Sequence, residues 1–298
     1  MKKLSDERLA EVYDLLADRY SCRNFSDEEI PEELLERLLQ IGTAAPSGGN
    51  LQSYTIIAVR DKEKKKLLSK ALGQQKFVET AAVDFIFLLD WHKISIYAKH
   101  CKAGYSQHKS LEFLLITVMD VICAAQSMET AGTLAGLRSC YVGNTCGEYD
   151  LLCEHFGMPK DKVFPLVTLS MGYPKHEQRA RRKKLPREAV VGFESYPELS
   201  EERIIELFDE KYRSEETNLP KNEKSAEKML SELKRCIAQS FSEEETEEII
   251  AGIRESGIVN YIQKKFTFQY DASGSEHDTS VMLEALHKAG LLEQLTIE

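Results

Sequence analysis

The chain has 298 residues, 42% of them hydrophobic, which is enough for one large buried core or for a core domain with an appendage. Its formal charge is −10, and the imbalance is local: residues 1–195 carry 27 basic and 26 acidic side chains, whereas residues 196–298 carry 12 and 23. An acidic C-terminal third repels a phosphate backbone, so the balance argues against general nucleic-acid binding.

The chain opens on charged helical sequence, with Leu4, Leu9, Val12, Leu15 and Leu16 on one face. No apolar stretch of signal-peptide length precedes it, so a cytoplasmic protein is expected. After a loop at 21–25, Ser26 with Glu29 three residues later reads as a capped helix start, ahead of a helix over roughly 31–44. Pro46-Ser47-Gly48-Gly49-Asn50 is too rich in helix breakers to continue it. Residues 54–59 and 83–89 read as strands, the second fully buried, with a charged helix over 62–71 between them. The longest helical pattern runs over 110–137, where Ala124, Ala125, Ala131 and Ala135 permit close packing. Glu112 and Asp120 interrupt its most apolar part, 111–128, which reads as a buried helix and not a membrane span. Further strands are expected at 138–142 and 164–172. Strands alternating with helices predict an α/β or α+β sandwich. Beyond Pro197, helical segments at 201–212, 224–240, 243–255 and 280–289 alternate with polar linkers, of which 214–223 and 271–278 are candidate mobile loops.

Cys22, Cys101, Cys123, Cys140, Cys146, Cys153 and Cys236 form no C-x-x-C pair and no framework spacing, so reduced thiols and no disulfides are expected. His92, His100, Cys101 and His108 match no zinc pattern, and no metal is expected.

Two basic segments carry chemistry. Arg19-Tyr20-Ser21-Cys22-Arg23-Asn24-Phe25 places two guanidinium groups and a hydroxyl in one loop, a set that suits a phosphate; a solvated, salt-bridged turn is the alternative. The run from Arg179 to Arg187 holds six cations in nine residues, and either a binding segment leaving the strand at 164–172 or a solvated basic patch accounts for it.

Taken together, these segments resemble the nitroreductase family, in particular its oxygen-insensitive NADPH-nitroreductase and flavin reductase subgroup. The resemblance rests on Ser21-x-Arg23-x-Phe25, Ala45-Pro46-Ser47-Gly48-Gly49-Asn50-Leu51-Gln52 and Gly73-Gln74-Gln75-Lys76-Phe77-Val78. It continues through Gly136-Leu137, Tyr141-Val142-Gly143-Asn144 and Arg182-x-Lys184-Leu185-Pro186, in order across about residues 10–195. It implies an α+β, nitroreductase-like sandwich with a central, mostly antiparallel sheet flanked by helices. It also implies an FMN-binding domain over 1–195 and an acidic helical extension over 196–298 that wraps the partner subunit of a homodimer or borders the active site. Leu291, Leu292, Ile249, Ile250, Ile253 and Ile258 then belong to a docked arm.

The resemblance further implies FMN as bound cofactor and NADH or NADPH as co-substrate. The reaction is a ping-pong, two-electron reduction of nitroaromatic, quinone or flavin acceptors, in which the flavin does the chemistry and no catalytic side chain is needed. A flavin-binding sensor or storage protein, or a specialised reductive enzyme on the same fold, is the alternative. By position, Arg19, Ser21 and Arg23 would grip the FMN phosphate and ribityl chain, with Arg182 and Lys184 approaching from the other side. Asn50 and Gln52 would lie under the flavin on a loop shaped by Pro46 and Ser47, and Gln75 would read the pyrimidine edge. Tyr141 leads into Val142, Gly143 and Asn144, whose backbone would lie near flavin N5 and O4.

Two departures stand out. The family commonly has His-Arg before Ser-x-Arg, and Arg19-Tyr20 occupies those positions here, so one cation has moved or been lost and Tyr20 would instead pack against ribityl or adenine-like groups. Where the subgroup has an arginine pair for the NADPH 2'-phosphate, residues 214–225 offer Glu215, Glu216, Lys221 and Lys224, so weak NADPH selectivity is expected.

Overall fold

A computed structural model describes residues 4–143, 145, 148–176, 182–271 and 275–292, and the side chains of 275–279 are left aside. The chain divides into two compact units, one of residues 1–179 with 280–298 and one of residues 180–279.

In the first unit, β1 (Tyr54–Val59), β2 (Val83–Asp90), β3 (Arg138–Val142) and β4 (Val163–Gly172) form an antiparallel sheet of order β1-β2-β4-β3. β2 is buried over its whole length, which explains why its sequence runs apolar instead of alternating. The β2–β4 register shifts between Phe87 and Leu88, opposite Pro165, a residue that cannot donate to a regular ladder. The Pro165 carbonyl instead accepts from the buried Thr145 hydroxyl at 2.6 Å. That bond fixes the turn leaving β3, which carries Gly143.

Two helices set the frame. α2 (Glu32–Thr43) starts after Pro31, not at a Ser26 cap, because proline pre-sets the backbone at a helix entry while Ser26 accepts only from Glu28 N–H at 3.4 Å. α6 (Leu111–Leu134) is capped by Ser110 and stops short of Leu137, since Gly136 takes a left-handed φ of 85° and Leu137 N–H bonds back to Gly132. One face of α6 buries Val121, Ala124, Ala125 and Met128 in the core. Among the described residues α6 alone is long and apolar enough to cross a membrane, yet it packs on α2 and on the sheet.

α3 (Lys62–Ala71) forms as expected, whereas α4 (Lys76–Thr80), α5 (His92–His100), α7 (Tyr149–Phe156) and, in the second unit, α11 (Tyr261–Phe268) carry no long apolar period. Helices of eight or nine residues or fewer depend on tertiary contacts, which local pattern does not show.

The second unit has its own small core of Leu230, Leu233, Ile250, Ile253 and Val259. It is built by α8 (Glu201–Tyr212), α9 (Glu223–Ile237), α10 (Glu243–Ser256) and α11, with a ribbon of β5 (Thr217–Asn218) and β6 (Ile258–Val259). β5 lies within the stretch expected as a mobile linker. Of the other such stretch, residues 272–274 lie outside the described residues and 275–278 open α12 (Ser275–Lys288).

Residues 280–292, grouped with the extension on sequence character, belong by their contacts to the first unit. Ala285, Ala289, Leu291 and Leu292 complete its core, Lys288 pairs with Asp150 of α7 at 2.9 Å, and Asp161 N–H donates to the Lys288 carbonyl. The chain therefore leaves the first unit, builds the second, and returns to close the first.

Candidate functional site

The segment after α1 (Asp6–Ala17) lies along the free edge of β3. Ser21 bridges Ser139 in parallel, Cys22 N–H donates to the Ser139 carbonyl at 2.8 Å, and Phe25 bridges Pro174. Ser21 and Arg23 are thus held by backbone bonds at a sheet edge. Arg23 is exposed, with its guanidinium carbon 5.8 Å from the centre of the Phe77 ring, so this segment meets the first turn of α4. Neither the Arg23 guanidinium nor the Ser21 hydroxyl has a hydrogen-bond or carboxylate partner among the described residues.

Arg19 is placed differently. Its Nε lies 3.0 Å from Oε1 of Glu129, a carboxylate on α6 that is only 3% exposed. Ser139, Thr133 and Gln126 also donate to Glu129, and the Tyr141 hydroxyl donates to the Gln126 carbonyl oxygen at 3.3 Å. Arg19 and Tyr141 are therefore tied into one network around the buried Glu129 that holds the loop and β3 to α6. An anion at Arg19 would have to share it with Glu129. Tyr20 is half-buried against the core, under the guanidinium of Arg138 at 5.5 Å.

The 46–52 loop is fastened to the same helix. Gly48 N–H donates to Oδ1 of buried Asp120 at 2.8 Å, and a Cβ at Gly48 would come within 2.5 Å of Ile116 Cγ2, so only glycine lets the loop sit this close to α6. Burial pushes the Asp120 carboxyl up, and the Gly48 N–H partly offsets that. Asp120 and Glu129 are nine residues apart, about 13 Å along a helix, so α6 spaces the loop from the Arg19 network. Gly49, Asn50 and Gln52 all take left-handed φ values. Ser47 Oγ accepts from Gln52 N–H, and the Gln52 amide nitrogen donates to the Thr43 carbonyl at 2.8 Å. That leaves Asn50 as the exposed amide of this loop whose donors are unspent among the described residues, with Pro46 also exposed.

Gln75 caps α4 through its backbone, with its N–H on the Ser69 carbonyl and its own carbonyl accepting from Ser69 Oγ, so its exposed side-chain amide remains available. Val142 is buried. Gly143 is exposed, and a Cβ there would meet nothing within 4 Å. Asn144 lies outside the described residues.

Arg182 and Lys184 belong to the second unit. There they line a cleft with Lys183, Lys211, Glu215 and Tyr261, and Arg182 Nε stands 3.8 Å from Glu215 Oε1. Sequence reasoning overlooked Glu129 and Arg138. A lone acid inside the apolar pattern of α6, and a cation opening an otherwise buried strand, were the available signals.

A four-stranded antiparallel sheet with helices packed on it, α6 the longest of them, defines an α+β protein. A model of the Nitroreductase family matches residues 16–173, more than half of the chain, and the chain belongs to that family. Among its relatives is the Bacillus subtilis protein named FMN reductase [NAD(P)H], 31% identical over 215 residues, covering 70% of this chain and 85% of that protein. A second B. subtilis protein, FMN reductase (NADPH), is 32% identical over 177 residues, 59% of this chain and 70% of that one. The solved structure of the hypothetical oxidoreductase YcnD from B. subtilis is 25% identical, with a TM-score of 0.70 over 94% of this chain and 98% of that one. The α+β class and mostly antiparallel sheet expected from the sequence are those observed.

Proposed function

We propose that the chain is an FMN-dependent oxidoreductase that draws on NADH or NADPH and reduces flat acceptors such as nitroaromatics, quinones or free flavin, as a cytoplasmic homodimer. The observation that carries this reading is the Ser21–Arg23 edge. A guanidinium and a hydroxyl without hydrogen-bond or carboxylate partners among the described residues are held there by backbone bonds, the guanidinium over the ring of Phe77, two residues past the exposed Gln75. This donor set fits a phosphate monoester followed by a polar heterocycle. When bound, FMN supplies the two-electron chemistry, accepting a hydride from the nicotinamide and passing electrons to the acceptor.

The chain's own residues bind and position. Ser21 and Arg23 hold the phosphate, Gln75 and Asn50 offer amides to the ring and its substituents, and Val142 with Gly143 leaves the ring room to approach. Pro46, Ser47 and Gln52 shape the loop, with the Gln52 side-chain Oε1 without a hydrogen-bond partner among the described residues. Arg19 and Tyr141 act through Glu129 and Gln126 as positioning residues. Arg182, Lys184 and Asn144 are assigned to FMN by the family resemblance alone.

The homodimer reading rests on the other face of α6. Leu111, Leu115, Met119 and Ile122 recur at helical spacing and are 44–57% exposed, a stripe that a second copy would cover. The acidic extension that opens at residue 196 is proposed to wrap the partner subunit.

The purified protein should be yellow and release FMN on denaturation. Arg23→Ala should cost about one to two decades of FMN affinity, the value of a lost charged hydrogen bond of roughly 1.5 to 3 kcal/mol. FMN retention unchanged through dialysis in that variant would show that the phosphate lies elsewhere.

The donor follows from charge. Glu215 faces Arg182 at 3.8 Å, so a cation near the expected 2'-phosphate segment is already partly neutralised. NADH is expected to serve comparably to NADPH or better. Steady-state kinetics with both donors and one quinone test this, and an NADPH preference above about a hundredfold, roughly 2.7 kcal/mol, would refute it.

A further inference from the structure

The parallel bridge between Ser21 and Ser139 sets Tyr20 beside Arg138, the first residue of β3. The Arg138 guanidinium lies 5.5 Å from the centre of the Tyr20 ring, and its Nη1 donates to the Leu137 carbonyl at 3.0 Å. Its Nε is buried with no hydrogen-bond partner, and among the described residues it has no carboxylate partner. A guanidinium carries five donors in a fixed fork; here Nε is enclosed and one Nη1 hydrogen is spent, so the donors open to an acceptor from outside the chain are those of Nη2 and the second Nη1 hydrogen of this half-buried side chain. The neighbouring cations differ in this respect. Arg19 is neutralised by Glu129, whereas Arg23, two residues beyond Ser21 on the same edge, is not. Both Arg23 and Arg138 act electrostatically on the buried Cys22 thiol between them in the chain pairing, drawing it down against the larger upward effect of burial. Two unneutralised guanidinium groups therefore flank Ser21, one from the loop and one from β3.

We propose that Arg138 is a further phosphate-binding residue of this site, supplying from β3 the positive charge that Arg19 has given up to Glu129 and that Tyr20 cannot provide. The assignment rests on the FMN reading above, and the phosphate group is its target, not the ring. The contact with the Tyr20 ring and the Nη1 bond to Leu137 restrain the Arg138 guanidinium, and its two Nη groups can meet a pair of phosphate oxygens.

The test compares FMN with riboflavin, which lacks the phosphate, by fluorescence titration of the full-length protein freed of flavin. Arg138→Gln should weaken FMN by about 10- to 100-fold and leave riboflavin within twofold of wild type. Arg138→Lys, which keeps charge and the Tyr20 contact but loses the fork, should weaken FMN about threefold or more, again sparing riboflavin. It serves alone if the glutamine variant does not fold. Unchanged FMN affinity in a folded variant, or equal weakening of both ligands, overturns the role of Arg138 while leaving the FMN reading intact. A wild-type protein that does not prefer FMN to riboflavin overturns both.

Discussion

Gly143→Phe is expected to give a folded, colourless protein. A Cβ at this exposed position would meet nothing within 4 Å, and the backbone does not take the left-handed φ that would make a non-glycine residue strained. The turn's own bonds, Thr145 N–H to the Gly143 carbonyl at 3.1 Å and Thr145 Oγ1 to Pro165, involve no hydrogen of the glycine α-carbon. Folding should therefore be nearly indifferent to the substitution, with an unfolding free energy within about 1 kcal/mol of wild type, the usual range for a surface change. Ligand binding should not be indifferent. If the empty volume beside Gly143 receives the isoalloxazine ring, a phenyl group occupies it, and FMN affinity should fall by more than about a hundredfold, roughly 2.7 kcal/mol. Absorbance at the flavin band after gel filtration, with circular dichroism melting on the same sample, reads both quantities. A yellow Gly143→Phe protein with wild-type FMN affinity would place the ring elsewhere.

What the sequence made legible follows from the physics of each feature. β1, β3, α3 and α8 lie at their expected bounds, because alternating or helical periodicity bounded by polar residues is a local signal. The donor residues were legible as residue types: Arg23, Asn50 and Gln75 stand exposed, and Ser21 is half-buried at the sheet edge. Their engagement was not. That Arg19 belongs to Glu129, 110 positions away, and that the Gln52 nitrogen is spent on Thr43, are facts of tertiary pairing with no local trace. The same holds for residues 280–292. A short apolar end after an acidic stretch reads as more of the extension, and only the contacts of Ala289, Leu291 and Leu292 place it in the first core.

Asp84 makes the stability of the first unit depend on pH with the opposite sign to an ordinary carboxylate. It sits fully buried on β2, opposite Ser170 of β4, whose hydroxyl donates to its Oδ1, while Oδ2 has no hydrogen-bond partner. Lys65, also buried, attracts it but donates its ammonium to the Ala81 carbonyl. Burial dominates and raises the carboxyl from the ordinary 3.8 to about 7. Between those values the folded chain keeps the proton and the unfolded chain releases it. The unfolded state thus binds fewer protons, and stability falls as pH rises, by about 1.4 kcal/mol per pH unit. Below about 4 both states are protonated, and above about 7 both are charged, so the loss is confined to that window and amounts to on the order of 4 kcal/mol. Asp84→Asn has no proton to lose there. Urea unfolding of both proteins from pH 4.5 to 8 should show wild type losing stability relative to the variant across the window and running parallel to it above. A difference independent of pH would mean that Asp84 folds as the ionised partner of Lys65, with the pair's attraction outweighing its burial.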